Sequence, residues 1–335
     1  MIKKILYIAF KYEYGLKENG DALNKKAFYD TFETLDFKIE GVFFEDYEHS
    51  MLQQKILKKA DTFKPDMIFF ILQKEQIDFE TLQILKDKKY FTVNFYGDDS
   101  WRFDNWSYKY ANYFSACLTT DKFAVDKYKA IGQKNIIRTQ WASIEPKCKD
   151  IVTNYKYEVS FIGGISHYRK WFINQLKNEG IVVSCFGSGW ENGRVNYDEM
   201  EEIIRTSKIN LNISNSVMYD IRYLFSNLRH ILNFFRATKN KSDMKARMFE
   251  LPAQGGFQLT EYVPSIEDYF DLSKEIACYS NIDEAEEIIK YYLKNNRKRE
   301  KIKLNGIKKA RENHMYKNRI EDFMIDLNRI KNDNE

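Results

Sequence analysis

Two doubly wound α/β domains, each on a mostly parallel sheet, are predicted by three observations. Short apolar runs rich in β-branched and aromatic residues alternate with amphipathic segments along the whole chain. The alternation comes in two series parted by a polar stretch. At 335 residues, 44% hydrophobic and 16% aromatic, the chain has enough apolar material for two cores.

The first series reads "KILYIAF", "FKIEGVFF", "DMIFFIL", "YFTVNFY" and "SACLTT", separated by segments such as "DALNKKAFYDTFETL". The opening "MIKKILYIAFKYEYG" has the Lys pair of a secretion signal. Its apolar run is short, however, and charge resumes at Lys11, so it reads as a first strand. After "EPKCKDIVTNYKYE" the second series supplies "VSFIGG", "IVVSCFG", "KINLNIS", "GFQLT" and "EIACY". In the closing "MYKNRIEDFMIDLNRIKNDNE", Ile320, Phe323, Met324 and Leu327 keep helical spacing. The expected division is 1–150, 151–314 and a terminal helix at 315–335. Open parallel sheets bind ligands beyond the carboxyl ends of their strands, so function is expected in a cleft between two such domains.

A balance of 53 Lys and Arg against 49 Asp and Glu argues against a nucleic-acid partner. No run approaches the roughly 20 apolar residues of a membrane span. Cys117, Cys148, Cys185 and Cys278 lie far apart with no C-x-x-C pair, as expected of buried free thiols in a reducing cytoplasm. No G-x-G-x-x-G is present, which speaks against an NAD-linked oxidoreductase and a bound cofactor.

The stretch "SDMKARMFELPAQGGFQL", 242–259, reads as a helix capped by Ser242 or Asp243 and running to about Gln254, stopped by a left-handed Gly255. Gly255 and Gly256 also leave room for a ligand to approach the main chain. Lys245 and Arg247 stand in the predicted first turn, where the helix dipole disfavours cations; a bound phosphate reverses that sign. The bland alternative points Lys245 into water and pairs Arg247 with Glu250. In "VSFIGGISHYRKWFINQL", Gly163 and Gly164 close a strand, Ser166 caps a helix, and His167, Arg169 and Lys170 fall in its first turn. Two basic helix starts at one sheet edge suit a diphosphate, while a solvated turn at each is the alternative.

"RMFELPAQGGFQLTEYVPSIEDYF", "KEIACYSNIDEAEEIIKYYLKNN" and "HMYKNR" resemble the carboxyl domain of GT-B glycosyltransferases of group 1, family 4-like. The branch resembled is that of spore-maturation glycosyltransferase-like proteins, specifically over about 157–325 and more weakly over "VNFYGDDSWRF" and "LTTDKFAVDKYKAIG". The resemblance implies a nucleotide-diphosphate sugar on the carboxyl domain, an acceptor approaching from the amino domain, and a final helix that crosses back to the amino domain. Glu250 matches the glutamate that bonds the donor ribose, Gly255 and Gly256 the close backbone beside it. Arg169 and Arg247 fall near the diphosphate, with Lys245, Gly163, Gly164 and Glu261 completing the expected donor set. The wider family's earlier glutamate falls on Ser242, so either the sugar is gripped differently or activity is lost.

Glycosyl transfer must stabilise a leaving diphosphate, which Arg side chains, helix starts and main-chain amides can do without a metal. If the anomeric centre inverts, a base must take the acceptor's proton. Asp98 and Asp99, after "TVNFY", are the first candidates, and helix-capping aspartates are the alternative. Trp101, Phe103 and Trp106 would suit a sugar face or a core.

"VMYDIRYLFSNLRHILNFFRATKNKS" holds Val217, Ile221, Leu224, Leu228, Ile231 and Phe235 at helical spacing, with Arg222, Arg229 and Arg236 on another face. Over 217–240 it reads as a core-packing helix with a solvated arginine row, ahead of a membrane-surface contact; a homodimer seam is also open. Together these observations give a cytoplasmic enzyme, stationed at the inner membrane face if that contact is made. It moves sugar to a glycan, lipid-linked or protein acceptor in surface-polymer assembly. The rival is a non-catalytic sugar-nucleotide or glycan-binding protein.

Overall fold

The computed structural model describes residues 1–213, 220–237, 239 and 241–333. The chain forms two compact units, Met1–Trp141 with Tyr316–Glu335, and Ala142–Met315.

In the first unit six strands form one parallel sheet, β1 Lys4–Ala9, β2 Lys38–Phe43, β3 Met67–Phe70, β4 Thr92–Tyr96, β5 Ala116–Thr119 and β6 Ile136–Arg138, ordered β2-β1-β3-β4-β5-β6. Every residue of β3, β4 and β5 is buried, as expected of strands covered on both faces. The intervening helices are α1 Asp30–Thr34, α2 His49–Phe63, α3 Phe79–Asp87, α4 Asp99–Arg102, α5 Tyr108–Ala111 and α6 Ala124–Ala130. Lys25–Tyr29 and Phe103–Ser107 are wider π turns.

The second unit's strands are β7 Tyr157–Ile162, β8 Val183–Phe186, β9 Ser207–Asn212, β10 Gln258–Glu261 and β11 Ala277–Tyr279, also parallel, ordered β11-β10-β9-β7-β8. Renumbered within the unit this is 2-1-3-4-5, the same order as the first five strands of unit one. Its helices are α7 His167–Asn178, α8 Tyr197–Arg205, α9 Ile221–Phe225, α10 Leu228–Arg236, α11 Arg247–Ala253, α12 Ile282–Lys294 and α13 Asn296–Asn313.

The last helix, α14 Tyr316–Asp333, packs in the first unit. Ile320, Phe323, Met324 and Leu327 are all buried, with the Phe323 ring stacked 6.2 Å from Phe69 and Tyr316 5.5 Å from Phe28. The apolar spacing read from the sequence is therefore the face that packs.

Three expectations need correction. The stretch after β9 is two short helices, because the Asn227 side chain accepts from the Arg229 N–H and starts a new helix. It reaches the core through α9, where Tyr223 is buried and Leu224 packs against the same cluster, but no residue of α10 is buried, and Val217 lies outside the described residues. The four cysteines are free, but only Cys117 and Cys185 are buried, Cys148 and Cys278 being half-buried.

Candidate functional site

In a 2-1-3-4-5 sheet the chain reverses its winding direction between the first and third strands, which leaves a crevice at their carboxyl ends. In the second unit that point lies between β7 and β9. Arg169 spans it. Its Nε and Nη2 donate to the Ile213 carbonyl just past β9, at 3.2 and 2.8 Å, and its Nη1 donates to the Gly164 carbonyl just past β7, at 2.8 Å. The guanidinium also lies 5.3 Å from the Phe161 ring. Helix α7 begins here as expected, with the Ser166 hydroxyl accepting from the Arg169 N–H at 3.2 Å. His167 and Lys170 in the same turn are exposed.

The loop after β7 is laid against the one after β8. The Ile165 N–H donates to the Ser188 carbonyl, Trp190 Nε1 to the Gly163 carbonyl at 2.9 Å, and the Gly163 N–H to Phe186. A Cβ on Gly187 would stand 2.4 Å from the Gly163 oxygen, and its φ of +130° is reserved for glycine. At Gly164 the nearest atom to an added Cβ is the Ser188 oxygen at 3.9 Å, so this main chain faces open space. The 187–193 loop is absent from the residues expected at the site, and its one local signal is the three glycines of "FGSGWENG".

Beside β9, β10 ends in Glu261, which is 2% exposed. The Ser242 hydroxyl donates to its Oε1 at 2.6 Å. Asn212 Nδ2 donates to the Thr260 hydroxyl and Tyr279 to the Asn212 carbonyl, each at 2.9 Å. Burial, and next the charge of Glu261, push the hydroxyls of Tyr168 and Tyr279 up. Arg169 thus stands at the ends of β7 and β9, and the Ser242–Glu261 pair at the end of the adjacent β10.

The helix carrying Arg247 departs from its expected form. α11 starts at Arg247, and neither Ser242 nor Asp243 caps it; Ala246 precedes it without a side-chain cap. The polar side chains are committed elsewhere, Ser242 to Glu261 and Asp243 to Lys245 at 2.8 Å. Pro252 removes the N–H that would bond Met248, and the helix ends at Ala253. Arg247 pairs with the buried Glu250 at 2.8 Å, the alternative to a phosphate that the sequence offered, and Lys245 meets Asp243 rather than water.

Gly255 does take the left-handed conformation, φ +94°. Gly255 and Gly256 precede β10, at the sheet edge opposite the crevice. An added Cβ on Gly256 would sit 2.5 Å from Asn210 Nδ2 and 2.8 Å from Ile204, so Gly256 serves close packing rather than ligand approach.

In the first unit, Asp99 is 2% exposed and accepts from Thr119 at 2.6 Å and Tyr128 at 2.8 Å. Burial raises its carboxyl to about 6, against the opposing hydrogen bonds of Ser107, Thr119 and Tyr128. Both bonds reach Oδ2 and tie the start of α4 to β5 and α6. Asp98 precedes α4, half-buried and without a side-chain cap bond. Phe103 is buried 4.7 Å from Tyr128, and Trp106 packs 4.9 Å from Tyr110, so both are core rather than sugar platform.

Residues 169–325 match the family described as glycosyl transferase-like. No curated protein sequence matches the chain. Among solved structures it is similar to HepE of Anabaena in complex with UDP-glucose, with a TM-score of 0.61, 10% identity, and 98% of each chain covered. It is also similar to a glycosyltransferase from Rickettsia africae, TM-score 0.67, 8% identity, 98% of each chain. A third likeness is the sucrose-phosphate synthase of Thermosynechococcus elongatus, TM-score 0.63, 6% identity, with 99% of this chain and 98% of that one covered. At such identities these likenesses bear on the fold.

Proposed function

We propose that this chain, whose residues 169–325 match the family described as glycosyl transferase-like, is a GT-B glycosyltransferase that moves a sugar from a nucleotide-diphosphate donor onto a glycan, lipid-linked or protein acceptor. The setting we assign is surface-polymer assembly by a cytoplasmic enzyme of the spore-maturation-like branch. The observation that carries the donor site is Arg169 spanning the β7/β9 crevice, with its guanidinium held in place by two main-chain carbonyls. An arginine fixed beforehand stabilises the charge growing on a leaving diphosphate without reorganising as the bond breaks. UDP and UDP-glucose in the HepE structures support a donor of this class.

In this reading Arg169 and the main chain of Gly163 and Gly164 receive the diphosphate, and Glu250 the ribose, with Arg247 moving from its carboxylate partner toward the phosphates. Lys245 acts at longer range. The sugar meets Glu261 and Ser242, a carboxylate and a hydroxyl already joined, in place of a glutamate at position 242. Chemistry of this kind asks for no metal. Where the anomeric centre inverts, Asp98 takes the acceptor's proton, Asp99 being engaged.

Turnover of nucleotide-diphosphate sugars, with and without acceptor, tests the proposal. Hydrolysis or transfer that Glu250→Ala abolishes is expected. Tight donor binding with no turnover on any donor and acceptor pair would instead favour a glycan-binding protein that retains the fold.

A further inference from the structure

The two helices between β9 and α11 turn large apolar side chains outward. Ile221, Phe225, Leu228, Leu232 and Phe235 are 68%, 75%, 80%, 53% and 79% exposed. This is not a loosely attached segment, because each helix is oriented by one inward ring. Tyr223 of α9 is 2% exposed and packs 5.2 Å from Tyr168 and 5.7 Å from Trp171. His230 of α10 stacks on Tyr223 at 4.3 Å and lies 5.6 Å from His167 at the start of α7.

At about 100° per residue, Leu228, Leu232 and Phe235 lie within about 60° of one another, centred nearly opposite His230. Ile221 and Phe225, four apart, likewise lie opposite Tyr223. The inward rings therefore hold both apolar faces toward solvent.

The charge around these faces has one sign. From Ile221 to Ser242 the sequence carries Arg222, Arg229, Arg236, Lys239 and Lys241 and no Asp or Glu. Arg222 is tied to Asp220 and Asp283, and Lys239 stands 3.9 Å from Asp243. Arg229 and Arg236 are exposed, and neither side chain has a carboxylate partner among the described residues. On the helix both fall at about 80–100° from Leu228, along one border of the apolar stripe. From there a long cationic side chain can reach up to headgroups while the stripe enters acyl chains.

We infer that α9 and α10 form a docking surface for an anionic phospholipid bilayer. Among the described residues no helix is long and apolar enough to cross a membrane, so the contact lies in the interface plane. The pair is anchored on the first turn of α7, which carries Arg169, and would keep the donor crevice close to the lipid surface.

Sedimentation of the full chain with vesicles, one set of phosphatidylcholine alone and one with a quarter phosphatidylglycerol, tests the inference with no donor present, apart from sugar transfer. Selective binding to the anionic vesicles is expected. It should weaken about thirtyfold in Arg229→Gln/Arg236→Gln, where two cations no longer meet headgroup phosphates, and about tenfold or more in Phe235→Ser. Both variants should keep the wild-type thermal midpoint, and the comparison of the two vesicle sets decides even if a variant fails to fold. Absence of anionic preference in the wild-type chain overturns the inference. So does a wild-type dimer that Phe235→Ser converts to monomer, since a second copy would then cover the face.

Discussion

Asp99 has a consequence at the residue scale that is separable from catalysis. Its carboxyl is raised from 3.8 to about 6 by burial, so the folded protein binds more protons there than the unfolded chain. The sign follows from linkage: relative to a form lacking the titration, stability is greatest below pH 4, falls as pH rises toward 6, and is level above. The window is worth about 3 kcal/mol. Denaturation of wild type and Asp99→Asn across this range should show the wild type losing ground on the variant by that amount. Parallel curves would mean Asp99 ionises normally. Arg169 makes a second prediction at this scale: Arg169→Lys keeps the charge but loses the fork that bonds both Gly164 and Ile213, so donor affinity should fall by about tenfold or more. Equal affinity would remove Arg169 from the site.

Much was legible at the scale of elements, and the failures have physical causes. Strand β3, MIFF, was visible because a strand buried on both faces is written as a continuous apolar run, whereas β9, SKINLN, was visible through alternation of apolar and polar residues. β6 was missed: three residues, Ile136–Arg138, are too few to form a pattern. Ser242 and Asp243 looked like helix caps because their side chains can accept from free N–H groups, but partners elsewhere claim them, Glu261 through tertiary structure and Lys245 two residues on. Nothing local in the sequence announces the first of these. The break at Asn227 did have a local signal, a cap residue inside an apolar repeat, which the unbroken spacing obscured.

The 187–193 loop gives the prediction proper to this scale. Gly187→Ala must force a Cβ into the Gly163 carbonyl at an unfavourable φ, and should cost about 2–4 kcal/mol and weaken donor binding with it. Gly180→Ala shares the positive φ, +79°, but meets nothing within 4 Å, and should cost only about 1 kcal/mol with binding intact. Thermal unfolding and donor titration of the two variants separate steric contact from backbone strain. Similar losses in both would deny the loop a role in shaping the crevice.

Across the whole molecule, two sheets share one strand order although no sequence repeat relates them. Parallel α/β winding dictates where a crevice forms, and the choice of side chains at that crevice decides what each unit can hold. Alternating runs made the paired architecture readable, and the resemblance of residues 157–325 agrees with the family match over 169–325. The donor set was readable only in part, because side-chain partners depend on the folded neighbourhood. The expected convergence of two unpaired basic turns became one spanning arginine, Arg169, together with an Arg247–Glu250 pair.

The most direct measurement is the thermal midpoint of the full chain titrated with uridine, guanosine, thymidine and cytidine diphosphate sugars, since a ligand bound to the native state raises it. At least one series should raise the midpoint in a saturable way, and Arg169→Ala should abolish the rise while leaving the unliganded midpoint within a few degrees. No rise with any of the four, or a rise that survives in Arg169→Ala, would contradict a diphosphate site at the β7/β9 crevice.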